Sequence, residues 1–229
     1  MCALVAVTAV HGLSVSAQDA AGTTETRTPS ASQDFISEVR GSISRDAWAQ
    51  FAGSIMHRSP STRTSAPVAV AMRLRPDSLK ARIVLGKKNA YWIDQQYVST
   101  SKPLVEIKRD VNAPKQSLEQ FGIHPEDLTF SFLYWDVTTE HPPQTYRGQT
   151  CRVFDLQHPK DDMKAQAWFA ERFRFPIRVV WYKDTVTKPL RTLEVTEFKR
   201  HTKTWFVKTI KLYGPEWKTK IVFRDAVLH

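Results

Sequence analysis

The chain has 229 residues, 41% of them hydrophobic and including seven Trp and twelve Phe, so it carries the apolar material for one or two packed domains and is no disordered polymer. Its formal charge of +10 would suit an acidic partner or an anionic surface. However, Lys208, Lys211, Lys218 and Lys220 are interleaved with apolar residues, which reads as the solvated face of a sheet rather than as a nucleic-acid groove.

Residues 2–10 form a short apolar run, followed by a polar, Ser-containing stretch and the small residues Val15-Ser16-Ala17. This is the pattern of an export signal over residues 1–17, cleaved after Ala17, although the positively charged segment that usually opens one is missing. A membrane-spanning helix needs roughly 20 apolar residues, more than any run here supplies. Cleavage would leave Cys151 as the single cysteine, which permits an oxidising compartment without an internal disulfide. Residues 18–32 are rich in Ala, Gly, Thr and Ser and read as a disordered tether, leaving residues 33–229 as one domain.

The first periodic segment is residues 33–43, where Phe35, Ile36, Val39 and Ile43 recur at helical spacing behind Ser32 as an N-cap candidate. Residues 46–56 fit either a further helical turn or a first strand, because Trp48, Phe51 and Ile55 suit a helix and Gly53 interrupts it. From Pro67 the period falls to two. Val68, Val70 and Met72 alternate with smaller or polar residues, as do Ala81, Ile83 and Leu85, and a turn then leads to a strand holding Tyr91, Trp92 and Ile93. Residues 98–119 are polar and punctuated by Pro103 and Pro114, with one short extended piece over 104–107. Pro125, with Glu126 and Asp127 behind it, looks like the opening of a helical turn. The apolar LTFSFLYW that follows, residues 128–135, is compatible with a strand or a buried helix on periodicity alone.

The back half is the clearest part of the chain. Six segments rich in β-branched and aromatic residues, RGQTCRVFDL, KAQAWFA, PIRVVWYKD, LRTLEVTEFKR, KTWFVKTIKL and KTKIVFRDAVL, follow one another at regular spacing. Between them fall His158-Pro159-Lys160-Asp161-Asp162, Phe175-Pro176, Thr187-Lys188-Pro189, His201-Thr202-Lys203 and Gly214-Pro215, the punctuation of an antiparallel meander.

No reactive constellation is superposed on this pattern. Asp155 and His158, with Asp161 and Asp162 beyond, lack further ligands at a metal-site spacing, and turn formation beside Pro159 explains them. Cys151 sits inside a strand with no base fixed near it, since His124 or His201 could be brought to it only by the fold, and it reads as a buried structural thiol. His124, Glu126 and Asp127 read as a loop and a helix start. Trp92, Trp135, Trp168, Trp181, Trp205 and Trp217 lie in or beside the strands and fit either a filled sheet core or the wall of a ligand cavity.

Residues 128–228 resemble the LolA-like superfamily, in its outer membrane lipoprotein-sorting branch. The likeness rests on LTFSFLYW, YRGQTCRVFDL, AWFAERFRFPIRVVWYKD, LRTLEVTEFKRHTKTWFVKTIKL and KTKIVFRDAVL in that order. The sequence departs from the pattern at residues 182–187, YKDTVT, where the usual turn glycine is absent. The resemblance implies a mainly β fold, a half-open antiparallel β-barrel of about 10–11 strands with short helices as a lid. It implies a periplasmic carrier that takes lipid or lipoprotein acyl chains. The basic exterior adds transient contact with anionic membrane surfaces, and the chain is expected to be a monomer with no enzymatic activity, cofactor or nucleic-acid partner. An envelope interaction or signalling module on the same fold, without lipid cargo, is the alternative. The apolar positions expected to line a cavity are Ile83, Leu85, Tyr91, Ile93, Phe130, Phe132, Trp168, Val179, Trp181, Leu193 and Val195.

Overall fold

A computed structural model describes residues 29–43, 46–75, 77–86, 89–96, 104–109, 118–183, 188–201 and 204–228. The export signal, residues 18–28 of the tether and most of the unusual 182–187 turn lie outside them. A helix, α1 (Pro29–Ile43), opens the described chain, so Ser32 sits inside the helix rather than at its cap. A front meander follows: β1 (Ala47–Arg58), β2 (Arg63–Leu74), β3 (Ser78–Leu85), β4 (Asn89–Gln96) and β5 (Leu104–Arg109). After a helical stretch that includes α2 (Pro125–Thr129), the back meander runs through β6 (Asp136–Tyr146), β7 (Gln149–Gln157), β8 (Met163–Ala170), β9 (Phe175–Lys183), β10 (Arg191–His201), β11 (Thr204–Tyr213) and β12 (Lys218–Leu228).

The two meanders join through antiparallel pairing of β1 with β12, giving a single 12-stranded sheet in the order β5-β4-β3-β2-β1-β12-β11-β10-β9-β8-β7-β6. Among the described residues its edges, β5 and β6, do not pair with each other, so the sheet is not closed. The strand count exceeds the expectation because residues 46–56 form β1 and because β6, DVTTEHPPQTY, is polar and contains Pro142 and Pro143. Both prolines fall where the register with β7 shifts, between His141 and Gln144, at a sheet edge where a missing N–H costs little. Residues 128–135 prove helical, as α2 and a 3-10 turn, Ser131–Tyr134. Phe175-Pro176 is not a turn: the chain reverses over residues 171–174, and both residues lie inside β9, just before a bulge in that strand at Ile177.

Side-chain alternation along each strand sends one set of residues to a common inner face. Register shows this as rows: Phe51, Val70, Ile83 and Tyr91 across β1 to β4, and Phe154, Ala167, Val179 and Leu193 across β7 to β10. At the seam, Ile55, Ile221, Ile210 and Val195 complete the surface. Gly53 makes the seam possible. It sits at a bulge between β1 and β12, and a Cβ there would lie 2.0 Å from the Val222 carbonyl oxygen.

The chain must travel from the edge strand β5 to the opposite edge strand β6, and its described part does so across the inner face. Leu118, Phe121, Ile123, Leu128, Phe130, Phe132 and Leu133 of this crossing segment are all buried. Phe130 holds a left-handed backbone, φ 52°, a costly state for a bulky residue that bends the segment and turns its ring against Phe132 and Phe175. α1 packs beside it through Phe35, Ile36 and Val39, so the inner face is covered by helices.

Candidate functional site

Where the crossing segment meets the ends of β9 and β10, a cavity of about 770 Å³ remains. That volume is within the usual range of small-molecule sites, about 300–1,000 Å³. Phe132, Trp135, Trp181 and Trp217 supply its aromatic walls, and Asp127 and Arg191 its buried charges. Trp181 and Arg191 are cross-strand neighbours on the inner face, and the guanidinium lies over the indole at 4.4 Å.

Asp127 is 2% exposed and pairs with Arg191 at 2.9 Å. Its other oxygen accepts the backbone N–H of His124 at 3.0 Å, so the carboxylate also tightens the start of α2. Across the cavity, the His158 ring meets Trp135 edge-on at 4.9 Å, and its Nδ1 lies 3.0 Å from Asp161 in the β7–β8 turn. Trp217, in the β11–β12 turn, lies flat against the backbone at Gly122. A Cβ on Gly122, whose φ is +68°, would come within 2.5 Å of that ring, so glycine is required there both sterically and conformationally.

Several bonds tie the crossing segment to the sheet. Tyr91 Oη accepts the Leu118 N–H at 2.9 Å. Thr219 donates its hydroxyl to the Phe121 carbonyl and meets His57 Nδ1 at 2.8 Å. With the Thr219 proton committed to the carbonyl, His57 Nδ1 is the donor of that pair. From α1, Arg40 donates to the carbonyls of Leu133 at 2.8 Å and Trp135 at 3.1 Å and lies over Tyr134. Burial lowers the pKa of this guanidinium.

The expected cavity residues divide by position. Phe132 and Trp181 line the cavity. Ile83, Leu85, Tyr91, Ile93, Val179, Leu193 and Val195 are buried on the inner face of the sheet, and Phe130 is buried in the crossing segment against it. Trp168 is on the other face. It pairs with Arg178 one step from the inward Ala167–Val179 pair, donates to Gln144 at 2.8 Å, and is covered by the Arg178 guanidinium at 4.6 Å. Asp127 and Arg191 are not among the expected cavity residues, and Trp135 and Trp217 stand only among the tryptophans that fit either a core or a cavity wall.

The residues weighed for chemistry are kept apart by the fold. Asp155 joins His141 at 2.7 Å and Gln166 at 3.0 Å on the outer face, away from His158. Cys151 is fully buried, its thiol donates to the Gln149 carbonyl at 3.4 Å, and burial raises its pKa.

A scan against protein-family models finds no match, and no curated protein sequence matches. Solved structures do. A DUF1329 family protein from Desulfovibrio piger superposes with a TM-score of 0.70 at 10% identity, over 86% of this chain and 91% of that one. An outer membrane lipoprotein-sorting protein domain from Vibrio parahaemolyticus gives a TM-score of 0.65 at 12% identity, over 85% and 91%. A LolA superfamily protein from Nitrosomonas europaea gives 0.58 at 12% identity, over 85% and 91%. At such identities the likeness concerns the backbone alone, and it establishes that this chain has a LolA-like fold.

Proposed function

We propose that the protein is a non-enzymatic carrier that shields the acyl chains of a lipoprotein or another lipid from water, acting in the periplasm after residues 1–17 are removed as an export signal. The observation that carries this reading is the aromatic-walled cavity of about 770 Å³ at one end of the inner face. On this reading residues 18–28 are a tether, and the domain begins with α1 at Pro29 rather than at residue 33, a half-open barrel whose lid is α1 and the crossing segment. Phe132 and Trp181 receive the cargo first. Ile83, Leu85, Tyr91, Ile93, Phe130, Val179, Leu193 and Val195 are the surface a longer chain reaches if the lid shifts. Holding a sixteen-carbon chain in water costs about 12 kcal/mol, at ~0.8 kcal/mol per methylene, so apolar cover is the whole task and no catalytic group or cofactor is called for.

Delipidated protein titrated with a fluorescent fatty acid should show saturable uptake, displaced by phospholipid. No uptake of any fatty acid, phospholipid or lipopeptide would sink the proposal. The Asp127–Arg191 pair inside the cavity and the helices filling the inner face favour a second reading, an envelope interaction module without cargo. Under that reading the protein purified from its own host carries no lipid by native mass spectrometry and is recovered in a stoichiometric protein complex.

A further inference from the structure

On the outer face, at the same end of the sheet as the cavity, strand register builds a cationic surface. Lys211 of β11 is opposite Lys220 of β12, which is opposite Met56 of β1, itself opposite Ser65 of β2. Two residues further along each strand, Tyr213, Lys218, Arg58 and Arg63 form a second row. The residues between the rows, Leu212, Thr219 and His57, are buried on the inner face, so alternation points both rows outward. Arg58, Arg63, Lys211, Lys218 and Lys220 line one shallow concavity of about 730 Å³ together with Met56, which is 42% exposed.

Among the described residues, none of these cations has a carboxylate within ion-pair distance. Two acids at the border are already engaged. Glu194, opposite Lys211, accepts from Tyr146 at 2.6 Å and meets Arg147 at 3.4 Å. Glu197 is held by Lys208 at 2.9 Å, with Lys220 in its field. The patch also shares a wall with the cavity: His57 and Thr219 line the patch from beneath, and the His57 ring packs 5.9 Å from Trp217, which lines the cavity.

We propose that this surface docks the protein on an anionic phospholipid membrane, which would bring the cavity mouth to the bilayer. The docking stands on the patch alone; its use for delivering cargo rests on the carrier reading above. A membrane suits the patch better than an acidic protein does. Phosphate headgroups present a broad field without a fixed acceptor pattern, matched by cations spread over four strands, and Met56 offers an apolar side chain to enter among them.

The test is sedimentation of the purified full chain with vesicles of phosphatidylglycerol and phosphatidylcholine, against pure phosphatidylcholine. Binding should require the anionic lipid and weaken as salt rises. Replacing three cations, Arg58→Gln, Lys218→Gln and Lys220→Gln, should weaken binding on the order of 100-fold, at about fivefold per charge. Arg73→Gln, Lys80→Gln and Arg82→Gln together remove the same charge towards the opposite ends of β2 and β3 and should change binding less than about fivefold. Equal losses in the two triple variants would overturn the proposal in favour of net charge. No preference of the unaltered protein for anionic vesicles would overturn it in favour of an acidic protein partner. Fatty-acid uptake is read in parallel in vesicle-free buffer, where the patch variant should keep it, which also verifies its fold. Absent uptake in the unaltered protein defeats the carrier reading and leaves docking standing, while absent docking with intact uptake does the reverse.

Discussion

The carboxylate of Asp127 answers to two demands at once, the N–H of His124 three residues back and the guanidinium of Arg191, 64 residues ahead. Both ends of the ion pair are largely withdrawn from water, Asp127 at 2% and Arg191 at 14% exposure, so removing one partner leaves the other charge buried and uncompensated. Asp127→Ala should lower unfolding stability by about 3–5 kcal/mol. Denaturant titration should show this, and the double variant Asp127→Leu, Arg191→Leu should regain part of the loss, because no orphaned charge remains. The local half of this role was legible, since an acid behind Pro125 marks a helix start. The distant half was not, because nothing near residue 127 encodes which strand will pass beneath it. Trp168 teaches the complementary point. It was legible as a buried strand tryptophan, but a single step of register decides the face, and only the pairing of Ala167 with Val179 puts Trp168 outside.

α1 is fastened by rings and cations together. Phe35 stacks on Phe154 at 5.7 Å and meets Phe169 edge-on at 6.1 Å, while the guanidiniums of Arg152 and Arg174 lie 4.3 and 4.7 Å from its ring. Arg152 in turn makes two 2.7 Å bonds to Glu140, and the Ser32 hydroxyl donates to the same carboxylate. The helix thus seals an ion pair of the inner face while covering apolar surface. Phe35→Ala should cost about 3–5 kcal/mol. It should also raise binding of a hydrophobic dye to the folded protein, read in fluorescence below the unfolding transition; unchanged dye binding would mean α1 covers nothing that opens. The apolar stripe Phe35, Ile36, Val39 was readable from spacing because a helix carries its own period. β6 was not readable, because a polar edge strand with two prolines lacks the alternation that marks strands buried on one face.

At the scale of the molecule, the order within each meander follows the sequence, since hairpin neighbours pair with hairpin neighbours. What joins the two meanders, β1 against β12, links the two ends of the described chain, and no local signal announces such a contact. The same topology leaves two edges, β5 and β6, that could pair with other chains. Pro142 and Pro143 are exposed on β6 and withhold N–H groups from any incoming strand. Replacing both with Val should produce concentration-dependent association in sedimentation velocity with little change in thermal stability. A variant that stays as dispersed as the unaltered protein would show that the prolines do not guard that edge.

A closed barrel has its girth set by strand number and stagger, and widening it means breaking a ladder of hydrogen bonds. Here, among the described residues, β5 and β6 share no ladder, so no such closure fixes the girth. The sheet can therefore coil more tightly or more loosely by small changes of twist spread over its pairings, each of which stays intact. The girth of the sheet is an elastic dimension, changed at the expense of bending alone.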